Sequence, residues 1–392
     1  MTVTGPLLDG LTPEYADEFA SKHNLPELLV HNPLSNPKGV SYNCEICSRE
    51  SHLQCSLCKR TYYCCAEHQE MDWNSVHSKI CPYIAALRAP PPVLHTQEER
   101  SMRTEQVKNT KIVVLTICKN EALRHLQEQH PELAHPAGLQ ALRYAADVYG
   151  NTSLELVPPY LLLTEANIAA QIFDKAQEHL CQAKWILIQH PNASPSFKCQ
   201  LSRNFGKLCL AQRKYDKALK HFASDAYYTS QIKGPDHIDT ATPLYYMGTT
   251  FIDKGDHESA VALFEKVHSI WTPFLQKCLV PVFDGGEVSL PPDWTQSTAT
   301  NADQILKKIV EAQKEMHGQT QIAVAQALFA HGLLKCVVGD WREAFRLLTK
   351  ASQMFDVTAG SEHTLTRESQ RYLALAQKKK SVSFDDDEDS FN

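Results

Sequence analysis

From about residue 105 onward, apolar positions recur at the three- and four-residue spacing of amphipathic helices, with short polar, glycine- or proline-bearing breaks between them. Long patterns of this kind call first for a search for internal repeats. Three stretches align with one another: FGKLCLAQRKYDKALKHF, MGTTFIDKGDHESAVALF and HGLLKCVVGDWREAFRLL. Each places an alanine twelve residues after a glycine and a bulky apolar residue four further on, giving Gly206/Ala218/Phe222, Gly248/Ala260/Phe264 and Gly332/Ala344/Leu348. A fourth stretch, TEANIAAQIFDKAQEHL, keeps Ala176 and Leu180 with Thr164 at the glycine position. The alanines at 176, 218, 260 and 344 are spaced by 42, 42 and twice 42, and one more step either way lands on Ala134 and Ala302. Small residues let two antiparallel helices approach closely, and the bulky residue fills the space beside them. The pattern predicts helix pairs near 153–190, 196–233, 236–278 and 319–358, with a degenerate pair near 105–149. The run LVPVFDGGEVSLPPDWTQ is too rich in proline and glycine for a helix, so 279–300 is expected to be an exposed loop ahead of a helix near 301–317.

This arrangement is similar to the tetratricopeptide repeat, lengthened from the usual period of about 34 residues. The resemblance implies a mainly α superhelix that presents the first helix of each pair on its concave face. Its register would put Leu161, Glu165, Arg203, Lys207, Tyr245, Thr249, Phe329 and Leu333 in a groove for a helical or extended protein segment. The chaperone-binding version of the fold clamps a terminal carboxylate. Asn204 fits one clamp position, but Leu161 and Glu165 occupy others, and Glu165 would repel such a ligand.

The 13 cysteines change the picture near the N-terminus, because seven of them lie between Cys44 and Cys81. The remaining six, Cys118, Cys181, Cys199, Cys209, Cys278 and Cys336, are scattered singly and are expected to be buried small hydrophobes in a reducing compartment. In the cluster, two C-x2-C pairs are followed by Cys64, His68, His77 and Cys81. Each C-x2-C pair can give two thiolates to one tetrahedral metal. The two later pairs are each four residues apart, a spacing that places both members on one face of a helical turn. Eight donors complete two four-coordinate sites. Catalytic zinc keeps an open position, so a structural role for the metal is expected, and its binding must supply most of the stability of so short a segment. Spacing alone leaves open whether Cys44, Cys47, Cys55 and Cys58 share one ion or the sets interleave.

The run YYC...HQ..DW...H...C, Tyr63 to Cys81, resembles the MYND zinc finger. That resemblance implies two structural zinc ions held by interleaved sets, Cys44, Cys47, Cys64 and His68 for one and Cys55, Cys58, His77 and Cys81 for the other. His68 stands where the family most often has cysteine. Cys65 and His52 are expected to stay off the metal, and Trp73 to pack the short helix against the zinc knuckles. The family also uses this helix and nearby aromatics as a shallow cleft for proline-rich peptides.

The expected organisation is an N-terminal extension over 1–40, a finger over 41–84, a proline-rich linker over 85–104, a repeat superhelix over 105–377 carrying the 279–300 insertion, and a disordered acidic tail over 378–392. The linker, LRAPPPVLHTQEER, loosely resembles the peptides such fingers bind, and the tail offers Ser381 and Ser383 as phosphorylation candidates. A net charge of −6 argues against nucleic-acid binding through bulk positive charge. No apolar run of membrane-spanning length occurs, and MTVTGPLLDGLTPEYADEFA lacks the basic start and apolar stretch of a secretory signal. No phosphate-cradling glycine loop, nucleophile elbow or HExxH appears, so no enzyme is expected.

A finger near the N-terminus, then VYGNTSLELVPPYLLLTEANIAAQIFDKAQEHLCQAKW, then long repeats is similar, over roughly residues 40–375, to a family of MYND-finger proteins of cilia and sperm flagella. The loop at 279–300 departs from that family. The resemblance implies a non-enzymatic scaffold of the cytoplasm and the axoneme. Its partners would be inner-arm axonemal dynein components and another tetratricopeptide protein. Two other roles fit the same modules: a cytoplasmic assembly factor for dynein arms, and a corepressor adaptor that binds proline-rich peptides.

Overall fold

The structure, a computed structural model, describes residues 13–388 apart from 33, 35, 37, 91, 92, 293 and 318–321. It divides into two compact units, Met1–Phe197 and Lys198–Asn392. In the first unit, α1 (Pro13–Lys22) is followed by an antiparallel sheet of β1 (Leu28–Val30), β2 (Leu53–Cys55) and β3 (Tyr62–Tyr63) in that spatial order. A continuous helical run comes next: α2 (Ala66–Asp72), a π turn (Trp73–His77) and α3 (Ser78–Leu87). Two helix pairs complete the unit, α4 (Gln97–Gln127) with α5 (Pro131–Tyr149) and α6 (Val157–Ala169) with α7 (Phe173–Gln189). The second unit holds most of α8 (Pro195–Ala211), then α9 (Tyr215–Lys233), α10 (Ile238–Lys254), α11 (His257–Phe283), α12 (Gln296–His317), α13 (Ile322–Val338), α14 (Trp341–Ala359) and α15 (Thr364–Glu388).

The period of 42 is written into the backbone as well as the side chains. Left-handed residues end the first helix of successive pairs at Gln129, Gln171, Arg213, Gly255 and Gly339, in steps of 42, 42, 42 and 84. At each, the following amide reaches back five residues: His130 to His125, Ile172 to Asn167, Lys214 to Cys209, Asp256 to Phe251 and Asp340 to Lys335. That bond satisfies a carbonyl the helix would otherwise leave unpaired, and the turn it makes lets the second helix fold back on the first. The degenerate first pair therefore keeps full phase, and Ala134 is buried like Ala176, Ala218, Ala260, Ala302 and Ala344. A Cβ added at Gly206 would lie 2.5 Å from the Phe222 ring, one at Gly248 2.5 Å from Phe264, and one at Gly332 2.8 Å from Leu348. The small-to-bulky triplets are thus direct contacts between paired helices. Where Thr164 replaces glycine, the facing residue is the slimmer Leu180, and both are fully buried.

Four expected boundaries move. The N-terminal extension is not separate from the finger, because it supplies α1 and β1. Leu28, Leu29 and Val30 pair with Cys55, Gln54 and Leu53, and Ala16 on α1 is buried. The linker narrows from 85–104 to 88–96, since α3 runs to Leu87 and α4 starts at Gln97 behind a capping box of Thr96 and Glu99. The loop narrows from 279–300 to 284–295. Leu279 and Val282 are buried in the apolar core of the second unit, and that burial carries α11 past Pro281. Finally, the tail expected to be disordered from 378 continues α15 to Glu388, in a stretch with no glycine or proline to stop a helix. Residues 389–392 of that tail lie outside the described residues.

Candidate metal centre and groove residues

β2, β3 and the loops around them bring two sets of donors together. Donor atoms of Cys44, Cys47, Cys64 and His68 all lie within 4.8 Å of one another, as do those of Cys55, Cys58, His77 and Cys81. The sets interleave along the chain, so the sequential arrangement does not form. His68 offers Nδ1, 3.1 Å from the Cys64 sulfur and 3.5 Å from that of Cys44. His77 offers the other nitrogen, Nε2, 3.7 Å from the Cys58 sulfur. One detail differs from the spacing argument. His77 and Cys81 do stand a turn apart on one helical run, but Cys64 sits in the bend before α2 and reaches His68 from outside the helix. Cys65 caps the start of α2 and belongs to neither set, and His52 is exposed and apart from both. The histidine at position 68 fills its place as the cysteine of other fingers would.

The electrostatics of the second set call for a cation. Contacts from Cys55 and Cys81 hold the Cys58 thiol far below the ordinary range, while contacts with Cys55 and Cys58 push Cys81 far above it. Burial disfavours charge on His77, yet the Cys55 and Cys58 sulfurs and the Asp72 carboxylate outweigh it and raise the imidazole to about 10. A bound dication supplies the positive charge that a proton would otherwise bring, and lets all three sulfurs be thiolates at once. Three cysteines and one histidine in each set are the donors of structural zinc, so the finger holds two structural zinc ions.

The π turn positions the second set. It widens the helical run by one residue per turn, and Trp73, Val76 and His77 within it are all buried. Trp73 joins the apolar cluster that includes Cys44, Cys55, Cys58, Tyr63 and Cys81, with its ring 5.7 Å from that of His77. Behind His77 lies a group that motif spacing did not single out as part of the site. Asp72 is almost fully buried, accepts a 2.7 Å hydrogen bond from Tyr63 and stands 3.8 Å from the outer nitrogen of His77. At that separation the two make no hydrogen bond, and the Asp72 charge acts through space to raise the basicity of the imidazole. Asp72→Asn keeps the shape and removes the charge. It should weaken zinc at the second site by about tenfold, the low end of the effect of losing a ligand's outer partner, with the first site unchanged, as read by titration against a chromophoric chelator.

The finger is fastened to the α4–α5 pair by buried polar bonds. Glu45, between ligands Cys44 and Cys47, receives Arg88 at 2.5 Å, Arg143 at 2.5 Å and Gln140 at 3.0 Å. Burial alone would raise its carboxyl, but Arg88, then Arg143 and Gln140, hold it below the usual carboxylate range. Ser75 donates to the Leu133 carbonyl at 2.6 Å, and His125 donates from Nε2 to the Ser75 carbonyl at 2.9 Å. Lys79 pairs with both Asp17 and Glu121.

The expected groove divides. Leu161, Tyr245, Phe329 and Leu333 are buried in helix packing, at 5, 6, 2 and 0 % exposure, and of the four Phe329 also lines a cavity, beside His268, Thr272, Gln326 and Leu365. The Phe329 ring, for example, packs edge-on against both Phe355 and Tyr372. These positions face neighbouring helices as well as their own pair, and the repeat register alone does not separate the two directions. Glu165, Arg203, Lys207 and Thr249 are half-buried. Arg203 is bound to Asp225 at 2.7 Å, and Lys207 lies over the Tyr246 ring. Asn204, the clamp candidate, is buried and donates to the Gln200 carbonyl. Of the six scattered cysteines, Cys118, Cys199, Cys278 and Cys336 are buried and Cys209 is half-buried, but Cys181 is exposed on α7.

Family models match in two places: the MYND finger over residues 44–81, and a tetratricopeptide repeat over 198–272. Mouse (Mus musculus) Egl nine homolog 1 is 43 % identical over 49 residues, which cover 12 % of this chain and 12 % of that protein. Human (Homo sapiens) Tudor domain-containing protein 1 is 27 % identical over 192 residues, covering 41 % of this chain and 16 % of that one. The chain thus spans well under a fifth of the length of either relative. The solved structure of nearly identical tetratricopeptide-like repeats from Podosopora anserina aligns with 68 % of this chain and 99 % of its own length, at 13 % identity and a TM-score of 0.34. No helix among the described residues is long and apolar enough to cross a membrane. The chain is therefore mainly α, with a two-zinc MYND finger over 44–81 followed by tetratricopeptide-type helix pairs, both of them non-catalytic modules of protein interaction.

Proposed function

We propose that the protein is an adaptor of the ciliary or flagellar axoneme, joining inner-arm dynein components to another tetratricopeptide protein. The observation that carries the adaptor reading is saturation. Each metal set already has four protein donors, so neither keeps a coordination position for substrate or water. The axonemal placement rests on the order of modules along the whole chain, which is similar to that of zinc finger MYND domain-containing protein 12. In this reading the zinc ions brace the finger, and the helix pairs present surfaces to other proteins.

The test is a fractionation of ciliated cells that express the tagged chain. Retention on axonemes through detergent, with release by high salt, is the expected result. Recovery only in the soluble cell body would replace the axonemal role with that of a dynein-arm assembly factor. Recovery in nuclei would favour the corepressor adaptor.

A further inference from the structure

A two-stranded hairpin leaves an edge of unpaired amides and carbonyls, and such an edge is a template for another extended chain. In this finger β3 covers one side of β2. The other side is covered by a segment from far upstream, residues 26–31. The Glu27 carbonyl accepts from the Ser56 amide at 3.3 Å, and the His31 amide donates to the His52 carbonyl at 2.7 Å. Between these bonds, Leu29 stands opposite Gln54, in the hydrogen-bonded position of an antiparallel ladder. A side chain of the finger also holds the segment: Gln69, buried on α2, donates to the Pro26 carbonyl at 2.7 Å. The grip on side chains is partial: Leu28 packs against the apolar cluster of the finger and the His31 ring lies 5.0 Å from that of Tyr62. Val30 is 82 % exposed and Leu25 46 %, while Leu28 and Leu29 are half-buried. Backbone pairing, one buried amide and one inward aliphatic side chain are how a sheet edge receives a short peptide, and a three-residue strand held this way can open locally while the zinc-held hairpin stays folded.

We propose that residues Pro26–Val30 are an intramolecular ligand. They close the β2 edge of the finger in cis, and an extended partner segment with a proline just ahead of aliphatic residues takes their place. The proposal rests on reading the finger as an interaction module and adds a regulatory element to it. α1 keeps the occupant close through Ala16 and the bond from Lys79 to Asp17, so the effective concentration of the cis segment is high. A partner must therefore bring a better strand, or bind while the N-terminal segment is held elsewhere.

The test uses the full chain loaded with zinc, and a labelled synthetic peptide of residues 24–32, NLPELLVHN. Leu29→Pro removes one ladder amide from the cis strand without touching a metal donor. The expected result is peptide binding at least tenfold tighter to Leu29→Pro than to the unaltered chain, with two zinc ions retained in both. Equal binding, or none by either protein, overturns the proposal. Hydrogen exchange on the unaltered chain gives a second measurement that needs no partner. The Leu29 and Gln54 amides should exchange far faster than the Cys55 amide, which is tied to Thr61 inside the zinc-held hairpin. Equal protection would make β1 a permanent strand and also overturn the proposal. A concentration-dependent dimer with these amides protected would assign the edge to a second copy and overturn the cis assignment. The exchange result stands or falls independently of the fractionation in ciliated cells, so the two readings fail separately.

Discussion

Cys81→Ser should remove the ion of the second set, leaving fewer than two ions per chain, and destabilise the finger around it. All four donors of the second set are buried, whereas Cys47, Cys64 and His68 of the first are only half-buried. A serine hydroxyl is a poor zinc ligand, and the three remaining donors would form an uncompensated polar cluster in the apolar centre of the finger. Structural zinc in finger peptides is worth about 10–16 kcal/mol, as much as the whole stability of an ordinary domain. The sheet is of three, three and two residues, too small to persist on its own packing. Metal analysis and hydrogen exchange across residues 42–87 read the outcome. The second unit should keep its helical circular dichroism, since none of its residues belongs to either donor set. A Cys81→Ser chain with two tightly held ions would refute the assignment of donors. On the unaltered chain, a competing chelator should take the first, more open ion before the second.

Phe264→Ala should destabilise the second unit by about 3–5 kcal/mol, the usual cost of emptying a fully buried aromatic site. The more telling result comes from combining it with Gly248→Ala. Alone, the added methyl would gain about 0.5–1 kcal/mol in helix propensity. It would also meet the Phe264 ring at 2.5 Å, closer than any relaxed contact, at an overpacking cost of about 1–3 kcal/mol. The single substitution should therefore destabilise. Once Phe264 is alanine the space is open, and the same Gly248→Ala change should become neutral or stabilising. Urea unfolding of the four proteins measures this reversal of sign. An equal penalty in both backgrounds would mean that the glycine and the phenylalanine are not paired across the helices.

The period was legible in the sequence because it is carried by residue size: six alanines at one phase can be read directly, and all six are buried. The donors were legible because cysteine and histidine have so few other reasons to cluster. What escaped was non-local or conformational. The left-handed turns at Gln129, Gln171 and Arg213 carry no glycine, so they leave no mark in the sequence even though they hold the same phase as Gly255 and Gly339. The pairing of 28–30 with 53–55 joins two three-residue strands too short to show alternation. Leu161, Tyr245, Phe329 and Leu333 show the same helical periodicity whether they face a ligand or a neighbouring helix. Asp72 is part of the metal site through its charge near His77, and motif spacing does not report what lies beside an outer nitrogen.

Glu45 links two things usually regarded as separable. It sits inside the loop that wraps one zinc set, yet its carboxylate is the shared acceptor for Arg88, Arg143 and Gln140. A scissor cut at the proline connection would carry that carboxylate away and leave Arg143 and Gln140 of α5 without their anchor. Metal supply and helix integrity in the first unit are then one cooperative quantity. Zinc starvation would be felt in α5 as well as in the finger, and transplanting the finger alone into another protein would forfeit part of what keeps it upright.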